Sequence, residues 1–99
     1  MSFGDDSQIL IPDAFTAIHS DPVRNKLTIS REELAQRFEL CEDMANLLSE
    51  STAAQWFKTG QEKEEVLEQV RQGLLGENSV VSEPEAQWVV GRIGEVLGW

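Results

Sequence analysis

The sequence is poor in the residues from which most small active sites are built. Among 99 residues there is one Cys, one His and no Tyr. A lone Cys41 forms no intramolecular bridge, which excludes the disulfide-stapled scaffolds of small secreted domains. Cations are scarce: 8 Lys and Arg stand against 18 Asp and Glu, a formal net charge of −10. Non-specific nucleic-acid binding is carried by excess Lys and Arg on phosphates, so nucleic acid is not an expected partner. Long apolar runs are missing as well. Ile9-Leu10-Ile11 falls far short of the roughly 20 residues of a membrane span, and an acidic surface is repelled by anionic lipid head groups. No membrane association is expected. The start, Met1-Ser2-Phe3-Gly4-Asp5-Asp6, has neither the basic nor the apolar segment of a secretory signal, which with the single Cys reads as a cytoplasmic protein.

What is present is enough apolar material, 40% of residues, to bury one modest core and to exclude full disorder. Length and composition predict a single domain spanning 1–99, with residues 1–8 a loose polar lead-in. After an apolar anchor at 9–11, Pro12 and Asp13 suit the first turn of a short helix that places Phe15 and Ile18 on one face. Ser20-Asp21-Pro22 stops it. Residues 20–29 read as a connecting loop with Leu27 and Ile29 as packing anchors.

The clearest element starts at Ser30-Arg31-Glu32-Glu33, a capping box. Leu34, Phe38, Cys41, Ala45 and Leu48 then recur at helical spacing, widened by Leu40, Met44 and Leu47. Glu32, Gln36, Glu39, Asp43, Asn46 and Glu50 hold the opposite face. The helix either continues through Trp56 and Phe57 towards Gly60 or breaks at Ser49-Glu50-Ser51-Thr52, where hydroxyls compete for backbone hydrogen bonds. If unbroken it spans about 42 Å and overhangs a core whose radius of gyration is near 13 Å. A homodimer is the expected way to cover the overhang.

Thr59-Gly60-Gln61-Glu62 reads as a second capping box, followed by Val66, Leu67, Val70, Leu74 and Leu75, with Gly76 at a C′ position. Ser82-Glu83-Pro84-Glu85 reads as a third, followed by Ala86, Val89, Val90, Ile93, Val96 and Leu97. Gly91, Gly94 and Gly98 weaken this last helix by up to ~1 kcal/mol each relative to Ala, which close approach of a neighbouring helix would offset. The fold class predicted is all-α: four or five helices in a small bundle with one long central helix.

No pattern for chemistry emerges. His19-Ser20-Asp21 lacks the convergence of a catalytic triad. Cys41 lies on the apolar stripe, near carboxylates that disfavour a thiolate. No calcium loop or Glu-x-x-His pair occurs, and Gly73-Leu74-Leu75-Gly76 lacks the Lys of a phosphate loop. The expectation is no enzyme, no cofactor and no metal. Arg31 to Leu40 resembles the first helix of a helix-turn-helix, but Glu39 stands where that motif turns, and Glu42, Asp43 and Glu50 would repel phosphates. A DNA mimic would carry acids in rows uninterrupted by Arg31, Arg37, Lys58, Lys63, Arg71 and Arg92. These two forms of transcriptional regulator are the alternative to an interaction protein.

Aromatic residues point to contacts, since buried Trp dominates interface hot spots. Trp56 and Phe57 lie on the overhang and Trp88 falls off the main stripe. Acids in capping boxes and first turns have a local reason, which leaves Glu39, Glu42, Asp43, Glu50, Glu64, Glu65 and Glu68. With Trp56, Phe57 and Trp88 they form the candidate partner surface.

Three stretches, Ile11-Pro12-Asp13-Ala14-Phe15, Phe38 to Ala45, and the run from Val66 through Arg71, Gly73, Trp88 and Arg92 to Leu97-Gly98-Trp99, together resemble a family of small proteobacterial proteins. Some of its members carry the label "ATPase with chaperone activity". The resemblance implies a bacterial cytosolic protein accessory to a chaperone or ATPase. No Walker-type loop accompanies it, and no site residues carry over. The function expected is that of an acidic helical adaptor without catalytic chemistry, acting on a protein partner, with a basic one favoured by its charge.

Overall fold

A computed structural model describes residues 10–99; Ile9 and the polar lead-in at 1–8 lie outside the described residues. The fold class is all-α. The described residues form helices α1 (Asp13–Ile18), α2 (Arg31–Thr59), α3 (Lys63–Leu74) and α4 (Glu83–Leu97), with a small sheet of strands β1 (Ser20–Asp21) and β2 (Lys26–Leu27) between α1 and α2 in sequence. The chain divides into two compact units, Met1–Phe38 and Glu39–Trp99, and the boundary falls inside α2.

In the first unit, Pro12 occupies the N-cap of α1, and its carbonyl accepts from the Phe15 and Thr16 amides. Phe15 is fully buried, with the Phe38 ring edge-on at 5.5 Å and the His19 ring at 5.6 Å. His19 caps the helix through its backbone amide. Residues 20–29 are not simply a connecting loop. They form an antiparallel hairpin pairing Ser20 with Leu27 and Asp21 with Lys26. The Asp21 carboxylate accepts from the Val23 amide at 2.9 Å and the Asp21 carbonyl from the Asn25 amide at 2.7 Å, while Asn25 takes a left-handed φ of 57°. Two-residue strands are too short to show alternation, so only the turn residues signal them.

The helix α2 is unbroken through 49–52. The two serine hydroxyls bond back to the helix instead of interrupting it: Ser49 donates to the Ala45 carbonyl at 2.6 Å and Ser51 to that of Leu48 at 3.1 Å. The Ser30 hydroxyl accepts from the Glu33 amide at 3.0 Å, as the first capping box predicts. Unbroken helix at Glu39 also means that 31–50 holds no turn of a helix-turn-helix.

The second unit is a small bundle of α2 from Glu39 onward, α3 and α4. Its core is Cys41, Ala45, Val66, Val81, Ala86, Val89, Val90 and Ile93, with Ser49, Thr52 and Glu85 buried beside them. The buried line of α2 drifts from Ala45 to Ser49 and Thr52, and Leu48 is only half-buried. The predicted cap of α3 is corrected by three residues. Glu62 is the N-cap and Glu65 closes the box by accepting from the Glu62 amide at 3.2 Å, whereas Thr59 ends α2. The box of α4 stands as predicted, with the Glu85 amide donating to the Ser82 hydroxyl at 3.3 Å and the Ser82 amide to the Glu85 carboxylate at 2.9 Å. The glycines of α4 do not mark a tight helix crossing. A Cβ at Gly91 would meet nothing within 4 Å, and one at Gly94 would meet Leu67 at an ordinary 3.9 Å. Gly98 is the left-handed C-cap, φ 72°, a conformation that favours glycine.

Candidate functional site

Helical periodicity sorts the candidate residues. Steps of three and four along α2 place Glu39, Asp43, Asn46, Leu47, Glu50, Ala54 and Phe57 on one face. All seven are exposed. Leu47 is 79% and Phe57 86% exposed. The predicted widening of the buried stripe by Leu47 is therefore corrected. It lies between Asp43 and Glu50 on the acidic face, a position that its spacing of four and three residues from them already implies. The face runs about 27 Å from Glu39 to Phe57 at 1.5 Å per residue. Leu40 and Met44 flank it, half-buried.

The carboxylates of Glu39, Asp43 and Glu50 make no hydrogen bond or ion pair with another described residue, and the same holds for that of Glu64 in the first turn of α3. The remaining candidate acids have partners. Glu42 is half-buried and grips Arg92 of α4, with Nε–Oε1 at 2.9 Å and Nη2–Oε2 at 3.0 Å. These hydrogen bonds hold its carboxyl below the ordinary 4.5, against the opposing effect of burial. Arg92 also reaches Glu95 at 3.2 Å. Glu68 accepts two bonds from Arg71, at 2.7 and 2.9 Å, and one from Gln72 at 3.1 Å, which lower its pKa to about 2. Arg71 extends to Glu83 at 3.3 Å. Glu65 serves the α3 cap. The sequence alone assigned no local role to Glu42, Glu65 or Glu68; the structure supplies one for each.

The aromatics also separate. Trp56 stacks against Trp99, ring centroids 5.5 Å apart and tilted by 58°. The Lys63 ammonium lies 5.3 Å from the Trp56 ring and 5.7 Å from the Trp99 ring. Trp99 is brought back by the turn at Gly98, its amide donating to the Gly94 carbonyl at 2.8 Å. Lys63 and Trp99 were not among the predicted residues, because their meeting depends on tertiary structure. Trp88 is half-buried on α4, and Phe57 points to the exposed face of α2.

Charge is uneven. From Glu39 to Trp99 the sequence has twelve acids and four bases. Three of those bases, Lys63, Arg71 and Arg92, are engaged as described, and Lys58 lies in the last turn of α2. No Lys or Arg occurs in α2 from Glu39 to Phe57, so the carboxylates of Glu39, Asp43 and Glu50 have no cation interspersed among them along the helix. In the first unit an open cleft of about 320 Å³ is lined by Asp13, Thr16, Ala17, Ser20, Asp21, Pro22 and Asn25, none of them a predicted site residue. Among the described residues no three His, Cys, Asp or Glu side chains gather as a metal site requires, and no helix is long and apolar enough to cross a membrane. The chain matches no family model, no curated protein and no solved structure.

Proposed function

We propose that the chain is a protein-interaction module and that the outward face of α2 is its binding surface. One observation carries the reading. Leu47 and Phe57, two large apolar side chains, stand exposed on a face shared with the carboxylates of Glu39, Asp43 and Glu50, which are unpaired among the described residues. Covering a Leu or Phe side chain yields about 1.5–3 kcal/mol, so a partner that buries both recovers what the fold leaves unused. Glu42, Glu65 and Glu68 have partners within the fold and Trp56 is paired with Trp99, which leaves this face for recognition. The family resemblance adds a class of candidate partner, a chaperone or ATPase of the same cell.

A photo-crosslinking side chain placed at Asn46, beside Leu47, tests the reading in cells. The expected result is a crosslinked adduct with a second polypeptide that disappears when Leu47→Asp is added. The control position is Gln87, exposed on α4. No adduct at Asn46, or an equal one at Gln87, overturns the reading.

A further inference from the structure

The chemistry of this face specifies its occupant. We infer that α2 takes a basic amphipathic helix from another protein, laid along Glu39 to Phe57; this rests on the interaction reading above and deepens it.

Charge selects the sign. Glu39, Asp43 and Glu50 follow at steps of four and seven residues, and no Lys or Arg occurs in α2 from Glu39 to Phe57; the exposed Lys58 stands just past the end of the run. Three of the four bases of this unit are engaged elsewhere, Arg92 by Glu42 and Glu95, Arg71 by Glu68 and Glu83, Lys63 by two indole rings, and the fourth, Lys58, lies beyond Phe57 at the end of α2. Lys or Arg on the occupant would meet unpaired carboxylates, and complementary potentials also speed encounter. A second copy of this chain would bring the same three carboxylates against their equals.

Periodicity selects the shape. Leu40, Leu47 and Ala54 recur every seven residues, and Met44 falls between the first two at helical spacing. Such a line of ridges matches another helix packed at a shallow angle. The backbone groups of α2 are satisfied within the helix, so the face offers no edge for an added strand. The occupant then carries apolar residues at i, i+3, i+4 and i+7, which meet Leu47 and Phe57, with Lys or Arg flanking them.

The probe is a synthetic peptide of about 18 residues, ~27 Å when helical, built of Leu, Ala and Lys in that pattern. Its controls are a scrambled peptide of the same composition and a peptide with Glu in place of Lys. Calorimetry with the full chain is expected to show binding of the patterned Lys peptide alone. Leu47→Asp is expected to weaken it at least about tenfold, as is Asp43→Lys combined with Glu50→Lys, and added salt is expected to weaken it further. Equal binding of the scrambled peptide, binding of the Glu peptide, or no binding overturns the inference. So does a dimer of the free chain that Leu47→Asp dissociates, since the face would then belong to a second copy. A crosslink at Asn46 that survives failure of the peptide leaves the interaction reading standing and removes only the basic-helix assignment. Loss of both removes both.

Discussion

The ring of Trp99 rests 5.5 Å from that of Trp56, with the Lys63 ammonium over both. The pair joins the chain's last residue to the last turns of α2 and the first residue of α3. An aromatic pair contributes about 0.5–1.5 kcal/mol beyond area burial, and an exposed cation–π contact about 0.5–1 kcal/mol. Trp99→Ala and Trp56→Ala are each expected to destabilise the chain by about 1–3 kcal/mol, with a double variant that falls short of the sum. Urea denaturation followed by circular dichroism checks this. Both variants retain the α2 face, so partner binding should persist wherever they remain folded.

Acid weakens the contact between Glu42 and Arg92 in a defined direction. The Glu42 carboxyl is held below its ordinary 4.5 in the folded chain, so its contribution is fully present above that value. It is lost as pH falls through the lower folded value. Stability measured from about pH 7 down to about pH 3 should fall more steeply in the wild type than in Glu42→Gln. Glu68, though held near 2, is half-exposed with Arg71 on a wet surface, and Glu68→Gln should change stability little.

Two hydroxyls on the buried side of α2 should respond oppositely. The Thr52 hydroxyl is buried without a hydrogen-bond partner among the described residues, whereas Ser49 donates to Ala45 at 2.6 Å. Removing an unsatisfied buried polar group is neutral or favourable. Thermal unfolding should place Thr52→Val between unchanged and about 1 kcal/mol more stable, and Ser49→Ala about 0.5–1.5 kcal/mol less stable.

The helix cap at Ser82 separates local from exposed acids. Ser82→Ala removes the hydroxyl that accepts from Glu85 and should lower stability by about 1 kcal/mol. Glu64→Ala, exposed and unpaired among the described residues, should stay within about 0.5 kcal/mol of wild type. Chemical denaturation of the two variants gives the comparison.

Local signals made most of the helical fold legible. Ser30 and Ser82 mark two starts because a cap is written in four consecutive residues, and the Cys41–Ala45 and Val89–Ile93 stripes follow from helical periodicity. The hairpin at 20–27 was hidden because its strands are two residues long. The α3 cap was misplaced because Thr59 and Glu62 both suit the position, and the turn at Gly60, φ 71°, decides between them. At the site, Glu39, Asp43 and Glu50 are readable as one face by spacing, whereas Phe57, expected on the overhang with Trp56, joins that face about five helical turns beyond Glu39. Leu47 is not readable there, because apolar character argues for the core against its angular position. Arg92 meets Glu42, and Trp99 meets Trp56, across sequence separations that carry no periodic signal.

The central claim is that partners bind along the outward face of α2. An amide-resolved NMR titration of the isotopically labelled chain with the patterned Lys peptide tests it most directly. The account predicts shifts concentrated from Glu39 to Phe57, strongest around Asp43, Leu47 and Glu50, and absent in Leu47→Asp. Shifts centred on the 20–27 hairpin or on α4, with α2 unchanged, would contradict it.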